Sequence, residues 1–163
     1  MVELPSQEAP APALVDEFDR LYRREGARMW RALAAYSGSR EVAQDAVSEA
    51  FAQAIARGSA IRSPQRWVWK AAYRIAAGEL QRRRAQSSLT VEPTFEEAEP
   101  AWEILAALGR LSPEQRAAVV LHYYAGYPAR DIAHITESTP GAVWMCLSRG
   151  RRRLRRILED ADD

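Results

Sequence analysis

The chain has 163 residues, 47% of them hydrophobic, and a net charge of only +1, which excludes wholesale disorder and allows one or two small domains. No apolar run approaches 18 residues, no basic start precedes an apolar stretch, and the single cysteine, Cys146, has no partner for an internal disulfide, so a membrane span and a secretory signal are excluded and a reducing, cytoplasmic compartment is expected. The near-neutral total hides segregation: residues 20–86 hold 14 bases against five acids and 110–158 nine against three, while 1–19, 87–109 and 159–163 hold acids only. Two basic blocks separated by acidic stretches suit two polyanion-binding domains on one chain.

Residues 1–12 carry Pro5, Pro10 and Pro12 among small and acidic side chains and are expected to form a disordered arm. From Ala13, the spacing of Leu14, Phe18, Leu21, Tyr22, Met29 and Leu33 predicts a helix to about Tyr36, weakened in its middle by Gly26. Ser39 follows the Tyr36-Ser37-Gly38 turn as an N-cap, and Val42, Ala46, Ala50, Phe51 and Ile55 carry a second helix to about Arg57. Asp45 and Glu49 stand one turn apart on it, so their carboxylates point the same way; solubility alone would explain them.

Ser63-Pro64 opens a third helix containing Trp67, Trp69 and Tyr73 among Arg66, Lys70 and Arg74, and closing on Arg82, Arg83 and Arg84. Aromatic rings interleaved with bases suit single-stranded DNA, since rings stack on unpaired bases while guanidiniums follow the backbone. Trp67 and Trp69 lie about 200° apart round the helix, so one faces the core. The expectation is Trp67 inside, with Trp69, Lys70, Tyr73 and Arg74 as the DNA-facing set. Residues 87–100 hold Pro93, Pro100, four Glu and no base, the composition of a flexible acidic linker, for which a plain solvated spacer is the bland account.

Trp102, Ile104, Leu105 and Leu108 start a second domain. Ser112-Pro113 with Gln115 predicts a capping box, with breaks at Ala125-Gly126 and Thr136-Glu137-Ser138 and a further cap-then-proline start at Thr139-Pro140. The last two helices read as a helix-turn-helix. In the final one Val143, Leu147, Gly150, Leu154 and Ile157 define one buried face, while Arg149, Arg151, Arg152, Arg153, Arg155 and Arg156 crowd the rest. Guanidiniums that close together repel unless a polyanion neutralises them; an ordinary solvated basic face is the competing account. Residues 159–163 form an acidic tail, expected to fray because negative charge opposes the dipole at a helix C-terminus.

Leu111-Ser112-Pro113, Gln115-Arg116, Gly126, Asp131-Ile132-Ala133, Gly141, Val143 and Leu147-Ser148-Arg149 resemble region 4 of extracytoplasmic-function (ECF) sigma factors, and Asp45, Val47, Glu49 and Phe51 resemble the D-x-V-x-E-x-F core of their region 2. The resemblance implies an all-α protein of two small helical domains, residues 13–86 and 101–158, joined by the linker 87–100. It implies a promoter-specific initiation subunit whose partners are bacterial RNA polymerase core, promoter DNA and an anti-sigma factor. Asp45, Glu49 and Phe51 would then dock on the polymerase, and the third helix and the loop before it would melt and read the minus-10 element. Pro140, Gly141, Trp144 and Met145 would face the bases of the minus-35 element, and Arg149, Arg152 and Arg153 its phosphates. The chain departs from the family pattern at Ser48, Arg74, Pro128, Trp144-Met145-Cys146 and Gly150. A stand-alone helix-turn-helix regulator and a polymerase-binding adaptor with weak DNA readout are the alternative readings. No metal site, cofactor site, membrane-inserting segment or catalytic constellation is legible, so an enzyme is not expected.

Overall fold

The structure, a computed structural model, describes residues 9–86 and 102–162. Of the arm expected over residues 1–12, residues 1–8 lie outside the described residues, as does the linker 87–100. Helices account for the described fold: α1 (Pro12–Ser37), α2 (Arg40–Arg57), α3 (Pro64–Gln86), α4 (Trp102–Gly109), α5 (Pro113–Val119), α6 (Ala129–Ile135) and α7 (Pro140–Asp162).

Local sequence sets the boundaries. α1 passes through Gly26 without a break and ends on Gly38, which takes the left-handed conformation (φ 71°) and returns its N–H to Ala34 O. Ser39 Oγ then accepts from the Val42 N–H and starts α2. Ser112 and Gln115 exchange side-chain to backbone hydrogen bonds in both directions, the predicted capping box at the start of α5. α5 does not stop at its last α-helical residue but widens into a π turn over Val120–Tyr124, which swings Tyr123 and Tyr124 outward before Gly126 (φ 75°) reverses the chain. α6 has Pro128 at its N-cap position and so no side-chain cap. The turn between α6 and α7 places Glu137, a non-glycine residue, at φ 54°, a conformation that costs about 1 kcal/mol more than it would for glycine. α7 continues through the acidic residues to Asp162.

α1, α2 and α3 form one bundle, whose core holds Phe18, Met29, Leu33, Val42, Val47, Phe51, Val68 and Trp69. α4 to α7 form the second, around Leu111, Ala117, Leu121, Ile132, Val143 and Leu147. Gly150 lets α7 approach α5 closely, since a Cβ there would lie 3.0 Å from Val119 Cγ2. The cores of the two bundles are continuous. Across the seam, Tyr127 sets its ring edge-on against Trp69 at 5.2 Å, and the Arg28 guanidinium sits 5.5 Å from the Tyr127 ring centre. Tyr36 packs on Tyr73 at 5.2 Å, and Arg116 donates to Tyr36 O at 2.9 Å.

Candidate nucleic-acid interface

Along α7 each residue turns the helix by about 100°, so burying Val143, Leu147 and Gly150 fixes what the opposite side presents. That side carries Gly141, Met145, Ser148, Arg149 and Arg152, all exposed; Pro140 and Trp144 flank it on one edge and Arg153 on the other, also exposed. Trp144 is 56% and Met145 52% exposed, and the Trp144 ring leans on His122 at 6.2 Å. His122 is fixed by the contact between its Nδ1 and Tyr127 O at 2.9 Å, so the indole rests on a platform held by the turn before α6. Cys146 is half-buried, and burial pushes its thiol up from the ordinary value, which makes it a weak nucleophile. On the neighbouring side of α7, Arg151 donates to Tyr123 Oη at 3.0 Å, at the edge of an open apolar groove of about 800 Å³ between α4, the π turn and α7, lined by Ile104, Leu105, Leu154 and Leu158 among others.

The bases of α3 divide into two groups. Arg66, Lys70 and Arg74 follow one another at one-turn intervals and face the second bundle, where Arg66 Nη2 meets Asp131 Oδ1 at 2.6 Å, Lys70 Nζ meets Glu137 Oε1 at 3.4 Å, and Arg74 donates to the same Glu137 oxygen. Hydrogen bonding from Arg74 and then from Lys70 holds the Glu137 carboxyl below the ordinary carboxylate range. Further along, Arg82 and Arg83 both donate to Glu79, whose carboxyl they lower to about 2.

Three expected site residues are placed differently by the fold. Trp69 is fully buried, with its indole N–H donated to Glu25 Oε2 at 3.2 Å, whereas Trp67 is only half-buried, under the Arg57 guanidinium. The expected assignment is therefore reversed. The physical signal lies in the register: Trp69 falls in line with Ala72, Ala76 and Leu80, the apolar face of α3, while Trp67 falls in line with Lys70 and Arg74. Tyr73 is half-buried in the seam against Tyr36, and burial raises its phenol strongly. Its ring is occupied there. Phe51, expected at the polymerase surface, is 6% exposed and meets Tyr22 edge-on at 5.1 Å, so it is core. Asp45 and Glu49, by contrast, are exposed, and with Glu41 they make a carboxylate row along the outer side of α2, with Glu49 accepting from Gln53 Nε2 at 2.8 Å.

Two buried charged residues belong to no site expected from sequence. Glu25, 5% exposed, gathers Trp69, Gln65, Arg28 and Arg24. Arg116, 4% exposed, serves four backbone carbonyls. In the sequence both are visible only as members of charged or motif segments, because burial depends on tertiary placement.

An all-helical chain with a basic second helix in a helix-turn-helix defines a nucleic-acid-binding protein of the transcription class. The family described as Sigma-70, region 4 matches residues 101–154. The ECF RNA polymerase sigma factor SigM of Mycobacterium tuberculosis is 30% identical over 150 residues, covering 86% of this chain and 76% of the relative. In three dimensions the chain is similar to the sigma factor RpoE of Bartonella quintana, solved in complex with the anti-sigma factor NepR (TM-score 0.74, 19% identity, 88% of this chain and 98% of that one). It is also similar to CnrH, solved in complex with the cytosolic domain of CnrY (TM-score 0.73, 19% identity, 91% of each chain). The chain belongs to the ECF family of RNA polymerase sigma factors, a family of transcription initiation factors. No helix among the described residues is long and apolar enough to cross a membrane.

Proposed function

We propose that this chain recruits RNA polymerase core through the α2 carboxylate row and directs it to promoters, with α7 on the minus-35 element and α3 on the melted minus-10 strand. The observation that carries the reading is the separation of charge on one folded chain: Glu41, Asp45 and Glu49 exposed on α2, and Arg149, Arg152 and Arg153 exposed on α7. Two domains, residues 13–86 and 101–158, joined by a linker over 87–100 would let each surface meet its own target. A pull-down with purified core polymerase, followed by run-off transcription on genomic fragments, tests the reading. A chain that does not bind core is not acting as an initiation subunit.

Reversing Asp45 and Glu49 to Arg is expected to lower affinity for core polymerase at least tenfold, because like charge placed against a complementary surface costs several kcal/mol. Stability should move by no more than about 0.5 kcal/mol, since both side chains are solvated. Titration against labelled core together with a urea melt measures both. Unchanged affinity removes α2 from the interface.

On α7, Trp144 and Met145 offer base edges only apolar contact, chiefly to thymine methyls, or one indole donor. Sequence readout at the minus-35 element should accordingly be weak, with phosphate contacts supplying most of the affinity. Replacing Arg149 and Arg152 by Ala should flatten the slope of log affinity against log salt by about 0.9 for each phosphate no longer neutralised, and affinity should fall nearly equally on all duplexes. Anisotropy titrations of the full chain at several salt concentrations check this; a loss confined to one sequence would make these arginines base readers. The exposed Trp144 and the apolar groove beside Tyr123 favour an additional protein partner, and an anti-sigma factor, the partner of RpoE in one of the complexes of similar fold, is the one we carry over.

A further inference from the structure

We propose that Arg66, Lys70 and Arg74 form a phosphate-binding row for single-stranded DNA, and that Asp131 and Glu137 of the helix-turn-helix occupy that row in the free chain as an intramolecular clasp. DNA and the second bundle would then compete for the same cations, and α3 becomes available only when the clasp opens. The inference rests on the reading of α3 as a DNA-binding helix and adds Arg66 as a ligand and two carboxylates as competitors.

Three observations carry it. First, the cations stand at one-turn intervals on one face of α3, a continuous row of the kind a polyanion backbone can follow, and each member meets a carboxylate of the other bundle. Guanidinium groups take carboxylate and phosphate oxygens with the same planar donor geometry, so an anionic side chain is a direct stand-in for a backbone phosphate. Second, Glu137 is held at φ 54° in the helix-turn-helix turn. Glycine fits that backbone with less strain, and both of the ion pairs Glu137 makes go to α3 rather than to its own bundle. The carboxylate therefore adds nothing to the turn itself.

Third, the clasp is placed where it can yield. The side chains of Arg66, Arg74 and Glu137 are 50%, 65% and 55% exposed, while those of Lys70 and Asp131 are 31% and 19% exposed. The pairs of Glu137 are therefore screened by water and salt and are individually weak, and Asp131 is the more enclosed of the two carboxylates. A strand that presents several phosphates at once displaces them more readily than it would displace buried pairs. The bonds that hold the bundles together at depth, Tyr127 against Trp69 and Arg116 to Tyr36 O, involve neither carboxylate. The clasp thus tunes access to α3 without being needed for folding.

The test uses the full chain and a fluorescein-labelled 20-nucleotide single strand of mixed sequence, read by anisotropy at fixed ionic strength. The paired change Asp131→Asn with Glu137→Gly opens the clasp and relieves the backbone at residue 137, so the variant should stay folded by circular dichroism. The expected result is tighter binding than wild type by about fivefold, the lower range of coupling between competing sites. A charge-matched control, Asp16→Asn with Glu17→Gln on the exposed start of α1, should tighten binding much less. Clasp-variant affinity equal to wild type, or equalled by the control, overturns the clasp. Adding Arg66→Gln, Lys70→Gln and Arg74→Gln to the clasp variant separates the two levels of the argument: binding should fall well below wild type. If it does not fall, α3 does not hold the strand, and both the minus-10 reading of α3 and the clasp fail together.

Discussion

Trp69→Ala is expected to destabilise the chain by about 4 kcal/mol, the middle of the range for emptying a fully buried tryptophan site. For a domain whose total stability is of order 5–15 kcal/mol, that leaves a substantial unfolded fraction under mild denaturant. The size follows from the surroundings. The indole is 0% exposed, it lies in line with Ala72, Ala76 and Leu80, and small alanines cannot move into the vacated space. Its N–H is also one of the donors to the nearly buried Glu25 carboxylate, which would keep Gln65 and Arg28 but lose its deepest partner. Trp69→Phe refills most of the volume and removes only the donor, so a loss of about 1–2 kcal/mol is expected. Trp144→Ala provides the contrast: at 56% exposure its truncation should change stability by no more than about 0.5 kcal/mol. Urea unfolding followed by far-ultraviolet circular dichroism measures all three. If Trp69→Ala leaves the midpoint in place and weakens only single-strand binding, the indole is a stacking platform after all.

How far sequence reaches depends on whether a feature is local. Caps, breaks and helix faces are legible because they are written within a few residues: Ser39 accepting from Val42, the reciprocal Ser112–Gln115 bonds, the reversal at Gly126. The exposed face of α7 follows from the spacing of Val143, Leu147 and Gly150 alone. Aromatic chemistry taken ahead of register misleads. Rings interleaved with bases suit unpaired nucleotides and so point Trp69 and Tyr73 toward DNA, yet the alanine line of α3 turns Trp69 inward and the packing on Tyr36 half-buries Tyr73. The motif around Phe51 suggests a surface role for it, although it shares a face with Val47 and Ala54, both buried. The seam between the bundles has no local signature. Arg66 meets Asp131 and Lys70 meets Glu137 across more than sixty residues of chain, and like-signed blocks in sequence say nothing about which acids they will face. The π turn at Val120–Tyr124 is also invisible, since a single widened turn inside a short apolar run has no residue signature of its own.

Arg116→Met is expected to cost about 3 kcal/mol, even though methionine matches much of the volume and removes a buried charge. Replacing buried ion pairs with apolar groups is often harmless, but that rule applies when both partners go. Here the partners are backbone. Arg116 Nε donates to Leu108 O at 2.8 Å, Nη1 to Tyr36 O at 2.9 Å, and Nη2 to Gly109 O and Leu111 O, each at 3.1 Å. No side-chain substitution can delete those carbonyls. Those of Leu108 and Gly109 end α4, where Leu108 O also accepts from the Leu111 N–H at 3.1 Å, and that of Tyr36 lies in the last turn of α1. Carbonyls at helix ends lack intrahelical partners and carry the negative end of the dipole. A guanidinium is the one side chain with enough donors in a fixed plane to serve all four, and these helix ends act as its counter-charge in place of a carboxylate. Burial lowers its pKa from the usual arginine value, the direction expected for a cation held away from water, and it still remains protonated near neutral pH. Lysine has three donors on a single atom and cannot span the set, so Arg116→Lys should lose nearly as much as Arg116→Met. For a chain of this length a loss of 3 kcal/mol lowers the melting midpoint by roughly 10 °C, measurable by thermal circular dichroism. Amide exchange supplies the second reading: because one of the four bonds reaches across the seam to Tyr36, protection should fall at the end of α1 as well as around Leu108 to Leu111. A Met variant that melts with wild type and keeps both sets of amides protected would mean that water or relaxation satisfies the carbonyls, and that Arg116 does not hold the two bundles together.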